Sequence, residues 1–150
     1  MEKSIQTLKS ILANYPDSLN NLTEKQWMYK SNPAKWSKKE VLGHLIDSTQ
    51  NNIRRFVVAQ YDDKLKITYV QDFWVAAANY QNYFTPDLIS LWILLNKHLC
   101  IVLKNIPGDS GETLCNVGEI RTIVWLAQDY CKHLLHHLHQ ILDMEPVAYP

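Results

Sequence analysis

Two histidines near the C-terminal end of the chain, His133 and His137, are spaced as metal ligands on one helix would be. Each residue of an α-helix advances ~100° around the axis, so side chains four residues apart lie on one face, one turn from each other. Two imidazoles in this arrangement can bind one metal ion, and neutral imidazole is the commonest metal-binding side chain. The alternative is a solvent-facing helix whose histidines bind nothing.

A helical wheel separates this pair from the neighbouring histidines. The apolar residues of the segment share one face: Ile120, Ile123, Val124, Ala127, Leu134, Leu135, Leu138, Ile141 and Leu142. His133 and His137 flank that face and can point between helices, whereas His136 and His139 are predicted to face outward. His98, in another predicted helix, is more typical of a core or surface histidine than of a ligand.

His44 is the candidate third ligand. On its own predicted helix it shares a stripe with Ser48, Asn51 and Arg55, beside the apolar face. That stripe is either solvated or lines a polar pocket. If this helix and the helix of His133 are antiparallel neighbours, His44 lies level with the C-terminal pair. Three protein ligands with an open coordination position are typical of a catalytic metal site.

Five further residues are candidates for the surroundings of the metal or for a pocket: Asp47, Ser48, Asn51, Trp74 and Asp129. A carboxylate of Asp47 or Asp129 can orient a metal-bound imidazole, although a solvated position is the alternative for both. Trp74 either walls a pocket over the metal or serves packing. No catalytic general base is assigned. Imidazole suits zinc, nickel, copper and iron, so a set of three histidines does not identify the metal.

The three cysteines do not suggest a disulfide framework, since their number is odd and no C-x-x-C pair occurs. We interpret Cys131 and Cys100 as buried structural thiols, and we expect Cys115 to lie exposed in a loop. The N-terminal residues include no apolar signal region, and no uninterrupted apolar run approaches the ~20 residues that span a bilayer. These features predict a cytoplasmic protein.

The composition excludes some functions. The 150 residues suit one domain, 1–150, and 47% of them are apolar. With 15 basic and 15 acidic residues the formal charge is zero, which argues against a protein that grips nucleic acid or a charged membrane surface. A small molecule is the expected partner.

Four helices are predicted, over residues 2–14, from the capping box at Ser37 to Gln60, from Thr85 as N-cap to Asn105, and over 119–144. The third helix is apolar on most sides and should be well buried. A long aromatic-rich connection, 61–84, is expected to hold a short helix around Trp74–Tyr80. Strand signals are weak, so the predicted fold is an all-α four-helix bundle.

Several motifs in this order resemble those of the DinB-like family, over nearly the whole chain. They are Trp36-Ser37, Gly43-His44-Leu45, Trp74-Val75, Tyr80, Leu88-Ile89, Leu91-Trp92, Asn96 and the segment from Asp129 to His137. The resemblance implies a four-helix bundle with an unusual helix order. It also implies a divalent metal, often nickel or zinc, held by His44, His133 and His137.

The same resemblance implies a homodimer and a metal-dependent enzyme, a thiol S-transferase or a hydrolase, because some relatives transfer low-molecular-weight thiols or use one as a cofactor in isomerisation. The alternative is a non-catalytic helical bundle with a stress-related role that binds a metal or a small molecule. An open coordination position that faces a pocket would favour the enzyme hypothesis. A site whose coordination positions are all filled by protein ligands would favour the binding-protein hypothesis.

Overall fold

The computed structural model describes residues 1–62, 69–116 and 119–149. Its elements, in chain order, are α1 (Glu2–Asn14), α2 (Pro16–Asn20), α3 (Glu24–Met28), α4 (Lys38–Val58), α5 (Gln71–Ala78), a 3-10 helix (Tyr80–Asn82), α6 (Thr85–Asn105), a second 3-10 helix (Gly108–Glu112), β1 (Leu114–Asn116), β2 (Ile120–Thr122) and α7 (Ile123–Ile141). The long helices α1, α4, α6 and α7 form the predicted all-α four-helix bundle.

The four long helices are not packed in chain order. α4 packs against α6 and α7, and α1 packs against the same two helices, so α1 and α4 lie across the bundle from each other. α4 and α7 run antiparallel, since Lys38 at the start of α4 donates to the carbonyl of Ile141 at the end of α7, and the hydroxyls of Thr49 and Tyr130 lie 2.7 Å apart further along. This is the arrangement that places His44 level with the histidines of α7.

The beginning of α4 is held by the predicted capping box. The backbone N–H of Glu40 donates to Ser37 Oγ at 3.2 Å, and the backbone N–H of Ser37 donates to Glu40 Oε2 at 2.7 Å. Both bonds satisfy backbone donors that have no partner within the helix. The helix that carries His44 therefore begins at a defined residue.

The prediction that Thr85 caps α6 was wrong. Phe84 occupies the N-cap position without a side-chain cap, and Thr85 is the first helical residue. The Thr85 hydroxyl donates instead to Glu24 Oε2 at 2.6 Å, and the same carboxylate accepts from the buried ammonium of Lys39. This ion pair, of which Lys39 is buried and Glu24 is exposed, joins α3 and α4, and the Thr85 bond to the same carboxylate adds α6.

α6 is less buried than its composition predicts. Leu88, Trp92, Leu99 and Leu103 are fully buried on one side, while Leu94 is 62% exposed on the other. By length and composition α6 alone among the described helices could cross a membrane, but core helices of soluble proteins pass the same test. Its packing against α1 and α4 gives it the position of a bundle helix.

The last long helix begins later than predicted, at Ile123 instead of 119. Residues 120–122 form β2, which pairs antiparallel with β1 in a two-stranded hairpin that weak strand signals did not reveal. Thr122 then caps α7, accepting from the backbone N–H of Trp125 at 3.1 Å. Cys115 lies in β1 and is buried, so the expectation of an exposed cysteine was also wrong.

Candidate metal centre

Three histidines from two antiparallel helices converge at one end of the α4–α7 interface. His44, His133 and His137 each offer a ring nitrogen, and the three atoms lie within 4.8 Å of one another. The Nε2 atoms of His44 and His133 are 3.0 Å apart. His44 is buried, while the two histidines of α7 are half-buried. The structure thus brings together the three histidines that the sequence singled out.

The other ring nitrogen of each histidine faces an oxygen of a neighbouring side chain. His44 Nδ1 lies 2.9 Å from the hydroxyl of Tyr69, and His137 Nδ1 lies 2.9 Å from Oε1 of Gln140. His133 Nδ1 is 3.5 Å from the Ser48 hydroxyl. An Nδ1–H that donates to oxygen leaves Nε2 as the metal-binding atom, as in known histidine sites.

The spacing of one pair of nitrogens fits ligation of a shared metal ion. Ligands at ~2.0–2.1 Å in a tetrahedron are about 3.3 Å apart. The 3.0 Å between Nε2 of His44 and Nε2 of His133 is close to that value. A donor set of three imidazoles suits zinc, nickel, copper or iron and does not suit magnesium or calcium, which prefer oxygen.

Burial keeps the histidines neutral. Burial, with a smaller contribution from the neighbouring imidazoles, lowers the pKa of His44 to about 4 and that of His133 to about 3. Burial also lowers the pKa of His137, opposed by its hydrogen bond to Gln140. Near neutral pH all three imidazoles are therefore unprotonated, which is the form that binds metal.

Gly43 allows the helix carrying His44 to pack closely against Tyr80. A Cβ atom built at Gly43 would lie 2.0 Å from Cδ2 of the Tyr80 ring, far inside van der Waals contact. The phenol of Tyr80 donates to Oδ1 of Asp47 at 2.6 Å. The glycine of the Gly43-His44-Leu45 motif thus has a packing role next to the site.

The sequence left two positions open for Asp47, a solvated one and one that orients an imidazole. The structure excludes the solvated position. Asp47 is 2% exposed, and burial raises the pKa of its carboxyl to about 6 despite the hydrogen bond from Tyr80. Its second oxygen, Oδ2, is buried without a hydrogen-bond partner among the described residues. Its hydrogen bond goes to Tyr80 rather than to an imidazole, so Asp47 supports the first turns of α4 and does not orient a histidine directly.

A polar cavity of about 260 Å³ opens beside His44 and His133. It is lined by His44, Ser48, Asn51, Asn52, Arg55, Tyr69, Gln71, Leu126, Asp129, Tyr130, His133 and Tyr149. Of the two predicted alternatives for the stripe of His44, the pocket is the one observed. A larger cavity of about 590 Å³, between α1 and the end of α7, includes none of the three histidines.

Among the described residues, neither Trp74 nor Asp129 has a hydrogen bond or a ring contact with the three histidines. Trp74 packs edge-on against Tyr69 with ring centroids 5.6 Å apart and is not part of the cavity wall. Asp129 lines the cavity and accepts from the hydroxyl of Tyr149 at 3.0 Å. Trp36 packs on His44 with ring centroids 5.2 Å apart, and the ring of Tyr69 is stacked on His44 with centroids 6.1 Å apart.

His136 and His139 were predicted to face outward, and both are instead half-buried beneath the residues that follow α7. Nδ1 of His136 donates to the carbonyl of Val147 at 2.7 Å, and Nδ1 of His139 donates to that of Glu145 at 2.7 Å. This C-terminal segment, 145–149, places the ring of Tyr149 5.3 Å from that of His133.

Sequence reasoning missed Tyr69, Gln140 and Tyr149. Gln140 lies one turn beyond His137 on the same helix, so its spacing was a signal that helical geometry could have found. Tyr69 and Tyr149 reach the histidines from segments outside α4 and α7, and no periodicity in the chain points to them.

The profile of the DinB superfamily matches residues 7–141. Among solved structures, the chain is similar to YfiT from Bacillus subtilis, described as a probable metal-dependent hydrolase with an unusual four-helix bundle topology; the identity is 18%, the TM-score 0.73, and 96% of this chain and 88% of that one are covered. It is also similar to a mycothiol-dependent maleylpyruvate isomerase, with 13% identity and a TM-score of 0.70. That match covers 98% of this chain and 61% of the isomerase. A comparison with curated proteins finds no match.

Proposed function

The chain belongs to the DinB superfamily, and on that premise we propose that it is a metal-dependent enzyme whose divalent ion is bound by His44, His133 and His137. The observation that carries the proposal is the convergence of three neutral imidazoles, each with Nδ1 directed at a side-chain oxygen, beside a polar cavity. Nickel and zinc are the metals we propose, since both suit an all-imidazole donor set.

Each residue around the histidines has a defined part in this proposal. A divalent ion held there would supply Lewis-acid chemistry, which polarises a substrate and lowers the pKa of a water or thiol that it binds. Tyr69 and Gln140 fix the orientation of two imidazoles by accepting from Nδ1. The rings of Trp36 and Tyr149 cover His44 and His133 and reduce access of bulk water.

The cavity favours a catalytic metal site over a closed site that only binds metal. Three protein ligands leave at least one coordination position free, and the cavity begins at two of the ligands, so a small molecule can reach that position. The reaction class that we propose is hydrolysis or thiol transfer. It is supported by the structural similarity to a probable metal-dependent hydrolase and to a mycothiol-dependent isomerase. The homodimer and the cytoplasmic location remain predictions.

The test is metal-dependent turnover. Protein stripped with a chelator and reloaded with zinc or nickel would be assayed with a panel of esters and amides, and with small thiols and a chromogenic electrophile. We expect turnover in the reloaded protein and none in the stripped protein or in His44→Gln. His98→Gln, on α6, is the matched control and should keep full activity. Equal rates with and without metal, or in His44→Gln and the wild type, would contradict the proposal.

A further inference from the structure

The side chain of Arg55 lines the cavity beside the candidate metal centre. Arg55 follows His44 by three turns of α4 and lines the same cavity as His44 and His133. Among the residues that the structure describes, its guanidinium has no hydrogen bond, ion pair or ring contact. Arginine in a protein stays protonated, so this half-buried cation has no ion-pair partner among the described residues.

Partial burial of the Arg55 guanidinium costs solvation free energy unless a nearby negative charge compensates for the lost water. Burial lowers the pKa of Arg55, and the groups near enough to act on it are Cys115, Tyr69, Asp129 and Tyr149. The carboxylate of Asp129 is the natural counter-ion but lies beyond the 4.0 Å limit of an ion pair, and it accepts from Tyr149 instead. A charge removed from water without a partner destabilises a fold, and an anionic ligand would compensate it.

A second polar group of the cavity also lacks a partner. Asn52 lies one turn before Arg55 on the same face of α4 and is 6% exposed. Its Nδ2 donates to the carbonyl of Ser48 at 2.9 Å, which fixes the amide orientation and identifies Oδ1 as the acceptor. That Oδ1 is buried with no hydrogen-bond partner in the part of the chain that the structure describes. A buried acceptor without a donor is uncommon in native proteins.

We infer that Arg55 and Asn52 form a subsite for a small carboxylate that also carries an N–H or O–H donor. The carboxylate binds the guanidinium through two parallel hydrogen bonds, a geometry that matches the arginine fork. The donor of the ligand binds Asn52 Oδ1. The rest of the molecule then extends along the α4 stripe towards His44. This inference rests on the proposed function, because it names the substrate class of the same site.

Two features favour a carboxylate over a phosphate. The cavity holds one arginine, and the negative charge of Asp129 lies on the same wall, so a doubly charged anion is less well compensated than a singly charged one. The volume of about 260 Å³ is small for a ligand pocket, which limits the ligand to a few non-hydrogen atoms beyond the carboxylate.

The test is a calorimetric titration with N-acetylglycine, which carries a carboxylate and an amide N–H. We expect the wild type to bind it and Arg55→Gln to bind at least about tenfold more weakly, as befits loss of a charge-assisted pair. Arg54→Gln, the exposed neighbour, is the matched control and should bind as the wild type does. Neutral N-acetylglycinamide should bind poorly, and inorganic phosphate more weakly than the carboxylate.

Equal binding by the wild type and Arg55→Gln, or binding by neither, would overturn the inference, as would a preference for phosphate. Arg55→Lys, which keeps the charge but not the fork, should bind with intermediate strength and serves if Arg55→Gln does not fold. Zinc would be titrated into the same samples. Zinc binding without carboxylate binding refutes the subsite alone, whereas carboxylate binding without zinc binding refutes the metal centre alone.

Discussion

Replacement of Gly43 by alanine tests why a glycine precedes His44. The added Cβ would lie 2.0–2.6 Å from three atoms of the Tyr80 ring, and that ring is buried, so it must move by more than an ångström. The movement breaks the 2.6 Å hydrogen bond from Tyr80 to Asp47. Overpacking costs about 1–3 kcal/mol and the lost buried hydrogen bond about 1–3, while alanine regains about 1 through helix propensity. The net loss is about 3 kcal/mol, within about 1–5.

Urea denaturation of the metal-free protein measures this loss as a lower midpoint at an unchanged slope. Gly108→Ala is the matched control, because nothing lies within 4 Å of a Cβ at Gly108. In a Tyr80→Ala background the effect of Gly43→Ala should vanish or become slightly favourable, since the clash is gone. A stable Gly43→Ala protein, or the same loss in both backgrounds, would refute the packing argument.

Two further predictions concern residues next to the histidines. Tyr69→Phe removes the acceptor of His44 Nδ1, so zinc affinity measured by chelator competition should fall by roughly ten- to a hundredfold. Asp47→Asn removes a carboxyl whose pKa is about 6 when folded and ~3.9 when unfolded. Folded protein holds the extra proton between these values, so wild-type stability should fall, relative to Asp47→Asn, by on the order of 2 kcal/mol as pH rises from 4 to 7.

Each of these predictions has its own control. Tyr61→Phe changes an exposed tyrosine on the same connection and should leave zinc affinity unchanged; an equal loss in both variants would rule out a specific role for Tyr69. The comparison of the wild type with Asp47→Asn uses metal-free protein, because a bound cation would change the pKa of the Asp47 carboxyl. A stability difference between the wild type and Asp47→Asn that is constant with pH would show that Asp47 does not titrate in this range.

The histidine centre could be predicted because its signals are local. The i, i+4 spacing of His133 and His137 places them on one helical face, and the capping box at Ser37 begins the helix of His44 close to the observed residue. The antiparallel pairing of α4 and α7 then brings the three together. Each of these inferences needs only helical geometry and one assumption about which helices are neighbours.

Other features depend on contacts between distant segments and carry no local signal. β1 and β2 have three residues each, too few to show an alternating pattern. The wheel correctly placed His136 and His139 away from the apolar face, but it could not show that the segment 145–149 would fold back over them. Asp47 is buried because Tyr80, 33 residues away, packs against it.

Elemental analysis of purified protein without an affinity tag tests the central claim most directly. The wild type, the double variant His133→Ala/His137→Ala and the control His98→Ala would be compared after incubation with zinc or nickel and desalting. The metal centre predicts about one ion per chain in the wild type and in His98→Ala, and almost none in the double variant. Metal absent from the wild type, or retained by the double variant, would contradict it.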